Sequence, residues 1–188
     1  QYRARRADGE YDVCSGLGIV IKDESGQPEY FGGVIRNHRQ QNHTDTLTGL
    51  SNQYSFFKEI SRCIQNRNDV RIAVLGISKL AEINAVYGYG LGNIVLQRFG
   101  RYLMEHVSDR SNTYRLDGSK FAVITENQSF EELKNTYERI RAYFREGMDI
   151  DGTFVALELN AATFVLDDYD ADEQTVYACL NFAYAESK

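Results

Sequence analysis

Arg115-Leu116-Asp117-Gly118-Ser119-Lys120-Phe121, running on into Ala122-Val123-Ile124, is a polar turn held between two apolar arms. Tyr114 and Leu116 lead in, a Gly/Asp/Ser turn reverses the chain, and Phe121 to Ile124 leaves as a β-rich run. The pattern predicts a hairpin with a tight loop. A second stretch, Ala73-Val74-Leu75-Gly76-Ile77-Ser78, reads as a buried strand opening into a loop. Asn84 and the glycine-rich run Gly88-Tyr89-Gly90-Leu91-Gly92-Asn93 come next. Two strand ends beside a glycine-rich helix start can cradle a nucleotide, because the free N–H groups of a helix N-terminus face anions.

Outward from these stretches the chain alternates helix and strand. Ser51 or Asn52 can cap a helix carrying Phe56, Phe57, Ile60 and Ile64 at helical spacing. Val70 to Ile77 is the first core strand, too apolar to be half exposed. Gly92 or Asn93 is expected to open a second helix with Leu96, Phe99, Leu103 and Val107 on one face. Ser129 and Glu132 form a capping box ahead of an apolar stripe of Phe130, Leu133, Tyr137, Ile140 and Phe144. Thr153 to Leu166 reads as one strand with Val155, Leu157, Leu159 and Ala161 on a shared face. A last helix carries Val176, Leu180, Ala183 and Tyr184. The order α-β-α-β-β-α-β-α, with an antiparallel hairpin in its middle, predicts an α+β sandwich on one mixed sheet, not a doubly wound fold.

Residues 1–36 read as three strands, Tyr2 to Arg6, Tyr11 to Ile21 and Glu29 to Ile35, with turns at Asp8-Gly9 and Lys22 to Pro28. His38 to Thr44 is a polar connector and the best boundary. The 188 residues suffice for one full domain plus an appendage. A net charge of −6 disfavours a nucleic-acid surface, and Arg3, Arg5 and Arg6 read as a solvated strand face. No apolar run approaches the ~20 residues that cross a bilayer, and no signal peptide is visible. The chain opens on Gln1, not Met, and is expected to be a piece of a longer protein. Cys14, Cys63 and Cys179 are few and far apart, which suits a reducing, cytoplasmic setting.

Asp45-Thr46-Leu47-Thr48-Gly49-Leu50-Ser51-Asn52 resembles the D-x-L-T-G-L-x-N opening of the GGDEF family, the diguanylate cyclase domains of bacterial cyclic-di-GMP signalling. Asn84, the Gly88-x-Gly90-x-Gly92-Asn93 region and the order of elements agree with it. Arg115 to Phe121 falls where that family has R-Y-G-G-D-E-F. The resemblance covers about residues 40–188 and implies a nucleotide-cyclase palm, a central five-stranded sheet with flanking helices. Residues 1–37 resemble the closing strands of a PAS sensor domain, through Asp8-Gly9-Glu10, Gly26-Gln27-Pro28 and Phe31 to Arg36. The division expected is therefore a PAS-like remnant at 1–37, a linker at 38–44 and a degenerate GGDEF domain at 45–188.

Family members join two GTP molecules with Mg²⁺, a hard cation that wants carboxylate oxygens. By the resemblance, the first metal-binding aspartate is Gly76 here, the aspartate two residues on is Ser78, and the signature Asp and Glu become Ser119 and Lys120. A lysine near a divalent ion is repelled by on the order of several kcal/mol at ~4 Å and an effective dielectric of ~20. Asp117, standing with Gly118 where the family has its glycines, is the one substitute ligand available, or else a turn aspartate bonding its own backbone. On the phosphate side the expected lysine is Ala81, with Lys79 nearby. On the guanine side Asn84 is kept and the base-reading aspartate is Asn93. An amide cannot take two guanine N–H bonds as a carboxylate does. The product-inhibition motif would occupy Ser108 to Ser111, where neither its Arg nor its Asp is in register. Asp167, Asp168, Asp170 and Asp172 read as a solvated loop before the last helix.

The resulting expectation is a catalytically inactive GGDEF-like regulatory domain, with no catalytic residues and no bound cofactor. Asn84, Asn93 and Lys79 would bind GTP weakly, a homodimer would form, and a neighbouring domain such as an EAL phosphodiesterase would be controlled. Two alternatives stay open: an active cyclase with a rearranged metal site taking Mg²⁺ with GTP, and a protein-interaction module binding no nucleotide.

Overall fold

The computed structural model describes residues 2–5, 11–23, 25–37, 43–107, 113–126, 128–167 and 170–187. The chain divides into two compact units, residues 1–42 and 43–188. In the first, β1 (Tyr2–Arg5), β2 (Tyr11–Lys22) and β3 (Pro28–Asn37) form an antiparallel sheet in chain order. The β2–β3 turn is tied by Asp23, whose Oδ1 accepts from the backbone N–H groups of Ser25 at 2.9 Å and Gln27 at 2.8 Å. Ile19, Val20 and Ile21 are all exposed, and since successive side chains point to opposite faces, β2 is open on both faces at these three residues. The Asp8-Gly9 turn lies outside the described residues.

The second unit is a five-stranded mixed sheet covered by helices on both faces, the α+β arrangement expected from the pattern. Its elements are β4 (Ser51–Asn52), α1 (Gln53–Asn66), β5 (Val70–Ile77), α2 (Leu80–His106), β6 (Thr113–Arg115), β7 (Lys120–Glu126), α3 (Phe130–Glu146), β8 (Met148–Ile150), β9 (Thr153–Val155), β10 (Leu159–Leu166) and α4 (Glu173–Glu186). The strand order is β10-β5-β7-β6-β4, antiparallel except for the β4–β6 pair. Alternation along β5 splits the core in two. Ala73, Leu75 and Ile77 face Phe99, Leu103, Ile140 and Phe144 of α2 and α3. Val70, Ile72 and Val74 face Phe56 and Ile60 of α1 and Val176 and Leu180 of α4.

Local signals start α1, α3 and α4 where the sequence marks them. The Asn52 side chain accepts from Ser55 N at 3.1 Å to cap α1. Ser129 and Glu132 close the capping box of α3, and Asp172 caps α4 through Thr175 N at 2.7 Å. Four expectations need correction. Residues 153–166 are two strands: β9 pairs with β8 in a separate hairpin, and only β10 joins the main sheet. The break at 156–158 is spent on other partners, with Leu157 N donating to Phe144 O and Glu158 O accepting from Ser78 N. The second helix starts at Leu80, not at Gly92 or Asn93, and is interrupted at Gly88 (φ 82°, ψ 161°). Leu80 and Ile83 pack against the core, which makes the segment before the glycines worth folding. Phe130 is 55 % exposed and stands outside the stripe. Finally, His43 and Thr44 belong to the second unit, Thr44 bridging to Ser51, whereas 38–42 lie outside the described residues.

Candidate functional site

Three chain segments converge at the C-terminal end of β5. The β6–β7 turn is set by Arg115, which is 7 % exposed and lies over the Phe121 ring at 4.6 Å. Its guanidinium donates to the carbonyls of Gly118 and of Lys120, the latter at 2.9 Å. Burial lowers its pKa by more than the nearby Asp45 and Asp117 raise it. Leu116 N to Lys120 O and Lys120 N to Asp117 O, both 3.0 Å, close the turn, with Gly118 at φ 55°. Ile77 N donates to Ser119 O at 3.1 Å, which docks the turn against the end of β5. Lys79, itself at φ 58°, then starts α2.

A cleft of about 830 Å³ lies between these segments, lined by Ser78, Lys79, Asn84, Asn93, Asp117, Gly118, Ser119 and Lys120. The structure thus brings most of the singled-out positions together. Gly76 sits one step below, on β5. The cleft also takes Glu158, Asn160 and Tyr184, which sequence reasoning missed. Asn84 lies on the first, pre-Gly88 part of α2, and its Oδ1 packs against Gly92, where an added Cβ would collide with it. That atom and Ser78 Oγ are buried with no hydrogen-bond partner among the described residues.

The space at Gly76 is filled. A Cβ built there would run into the Tyr184 hydroxyl and stand 2.6 Å from the ring carbon bearing it. Tyr184 is 5 % exposed on α4, and burial raises its pKa. No side chain larger than hydrogen fits at position 76 while this ring stays.

Lys120 is committed as well. Its Nζ lies 2.9 Å from Asp117 Oδ1 and donates to Asn181 Oδ1 at 2.8 Å. The Tyr177 hydroxyl donates to the same Asp117 oxygen at 3.0 Å and accepts from Gln53 Nε2 at 3.0 Å. Burial alone would raise the Asp117 pKa, but the bonds from Lys120 and Tyr177 outweigh it and leave the carboxyl below its ordinary value of 3.8. The signature turn is therefore stapled to α4 by two side-chain bonds, Lys120 to Asn181 and Tyr177 to Asp117, with the Lys120–Asp117 ion pair inside the turn. Asp117 is neither a free ligand nor a plain turn aspartate. The other carboxylate of the cleft, Glu158, pairs with Lys79 at 3.2 Å.

A magnesium ion does not fit this donor set. The four matched positions carry a hydrogen, two hydroxyls and a cation, and both carboxylates present are held by lysines. No cluster of three His, Cys, Asp or Glu side chains suited to a metal exists among the described residues. The positions matched to product inhibition, 108–111, lie outside the described residues, as does Asp168 of the acidic loop.

Comparison with known proteins agrees with this architecture. The family profile described as "Diguanylate cyclase, GGDEF domain" matches residues 42–170. Diguanylate cyclase DgcP of Pseudomonas aeruginosa is 26% identical over 149 residues, covering 76% of this chain and 22% of that protein. DgcP of Escherichia coli is 24% identical over 155 residues, covering 79% of this chain and 45% of that protein. The chain thus spans less than half of either relative. Among solved structures, the GGDEF domain of FimX from Pseudomonas aeruginosa superposes with a TM-score of 0.70 at 17% identity, covering 78% of this chain and 93% of that one. The coiled coil and GGDEF domain of DgcB from Caulobacter crescentus, solved in complex with c-di-GMP, reaches 0.68 at 20% identity, covering 79% and 82%. These likenesses establish the fold.

Proposed function

The chain belongs to the GGDEF family, the domain type of cyclic-di-GMP signalling proteins, and from that premise we propose that it is a catalytically silent, regulatory member. It makes no cyclic-di-GMP, and it serves a cytoplasmic signalling protein by dimerising and by controlling a neighbouring output domain such as an EAL phosphodiesterase. One observation carries this reading: at Gly76, the position the resemblance matches to the first metal aspartate, a Cβ would run into the Tyr184 hydroxyl. The Lys120 staple supports it, because the cation that replaces the signature glutamate is fixed in the structure by Asp117 and Asn181. No helix of the described residues is long and apolar enough to cross a membrane.

The PAS-like reading of residues 1–37 belongs to the same proposal, with the three-stranded sheet as the end of a sensor domain. The direct test is turnover: the chain incubated with GTP and Mg²⁺ or Mn²⁺ yields no cyclic-di-GMP. A detectable product defeats the proposal and favours an active cyclase.

A second reading is favoured by the cleft itself. At about 830 Å³, with Asn84, Asn93 and Lys79 on its wall, it keeps room for a guanine nucleotide without a metal. Binding of this kind is weak and indifferent to Mg²⁺, and titration calorimetry with GTP, with and without the ion, reads both properties. No heat at millimolar GTP removes this reading and leaves a pure interaction module.

A further inference from the structure

Besides the buried Tyr184, the cleft holds a second aromatic ring, and no role has yet been given to it. Tyr89 lines the cleft and is 76 % exposed. Tyr102, Tyr114, Tyr143 and Tyr177 each pack on another ring, whereas among the described residues Tyr89 packs on none. It is the first residue of α2 after the break at Gly88, so the break decides where the ring is carried. Its neighbours on both sides are glycines, and a Cβ built at Gly88 or Gly90 meets nothing within 4 Å. No adjoining side chain crowds the ring. Val86 and Tyr87, the exposed apolar residues just before the break, do not line the cleft.

Helical spacing sets an amide beside this ring. Tyr89, Asn93 and Leu96 stand at i, i+4 and i+7 of one helix, on one face, and all three line the cleft. The Asn84 side chain comes to the same place, packed against Gly92. This wall therefore offers a flat ring, an amide that can both donate and accept, and an apolar patch at Leu96. A heteroaromatic base needs that combination: a π-face to stack on, and hydrogen-bonding groups for its edge.

We propose that Tyr89 is the stacking platform of this cleft: a purine base lies flat on its ring, with its edge toward the Asn93 amide. A purine is the occupant because its two fused rings cover more of a tyrosine face than the single ring of a pyrimidine. Stacking needs no ion, so this contact persists where the carboxylates of the metal site are gone. The proposal rests on the reading of the cleft as a metal-free nucleotide site, and it assigns the side chain that holds the base there. Affinity for the nucleotide reads the first, and dependence on the ring at position 89 reads the second, so the ring can fail while the site stands.

The chain has no tryptophan, so Tyr89→Trp sets a single indole at the proposed contact. Its fluorescence is expected to be quenched saturably by GTP without Mg²⁺, and left unchanged by inorganic triphosphate, which has no base. Titration calorimetry of the whole chain supplies the affinities. Tyr89→Phe keeps the GTP affinity of the parent. Tyr89→Leu, with apolar bulk but no ring, lowers it about 5- to 150-fold, the equivalent of the roughly 1–3 kcal/mol that stacking a base is worth. Tyr87→Leu, outside the cleft, changes nothing, and all variants keep the far-ultraviolet circular dichroism spectrum of the parent. GTP affinity that Tyr89→Leu leaves intact, or quenching by triphosphate equal to that by GTP, overturns the proposal and leaves the nucleotide site standing. No heat with the parent and no quenching of Tyr89→Trp at millimolar GTP overturns both.

Discussion

At the scale of single residues, the site is governed by what occupies two places. Position 76 has room for hydrogen alone because Tyr184 reaches under it. Gly76→Ala is therefore expected to cost about 1–3 kcal/mol of stability, as overpacked cores do. In a Tyr184→Ala background the same substitution costs less, and urea unfolding of the four proteins in the cycle measures the difference. Asp117 is the second place. Its folded pKa lies below 3.8, so the stability it contributes is fully present above that value and is lost as the pH falls through the folded value. Its side chain is 57 % exposed, which holds the effect to about 1 kcal/mol or less. Asp117→Asn is expected to flatten the acid limb of stability between pH 5 and pH 3, about the ordinary carboxylate range. An unchanged limb would show that the ion pair contributes nothing.

At the scale of elements, the sequence was most legible where one local rule decides. β5 spans Val70 to Ile77 as its apolar run requires, and the Ser129–Glu132 box starts α3. It was least legible where tertiary partners outvote periodicity. Val155, Leu157 and Leu159 do share one core, as their spacing says, yet the strand between them is broken because Leu157 and Glu158 bond to Phe144 and Ser78. Nothing in the alternation marks those partners. The start of α2 was hidden for a related reason: its glycines read as a loop, whereas only Gly88 leaves helical geometry. This gives a paired prediction. Gly88→Ala puts a Cβ at φ 82°, ψ 161°, a region that is essentially glycine's alone, and costs about 1–3 kcal/mol. Gly90→Ala, with open space around it and helical backbone, stabilises by about 0.5–1 kcal/mol. Thermal unfolding separates the two signs.

At the scale of the whole molecule, an α+β sandwich on one mixed sheet could be read from element order, and the family, with the five strands it implies, from the resemblance of the Asp45 to Asn52 opening. The site was legible only in part. Substitutions at Gly76, Ser78, Ser119 and Lys120 are visible in sequence, but Tyr177, Asn181 and Tyr184 come from a helix about sixty residues or more beyond the signature turn. They carry no motif of their own, so the staple and the filled pocket appear only on folding. The consequence is a prediction about repair. Restoring acids by Ser119→Asp and Lys120→Glu is expected to leave the chain inactive, because position 76 still carries no carboxylate and has no room for a side chain while Tyr184 stays, and a cyclic-di-GMP assay on the double variant reads this.

The most direct measurement is quantification of cyclic-di-GMP formed by the unaltered chain from GTP with Mg²⁺, repeated with Mn²⁺. No product above the protein-free control is the predicted result. Sustained formation of product that disappears on chelation of the metal would contradict it, since an ion would then be held without carboxylates at positions 76, 78, 119 and 120.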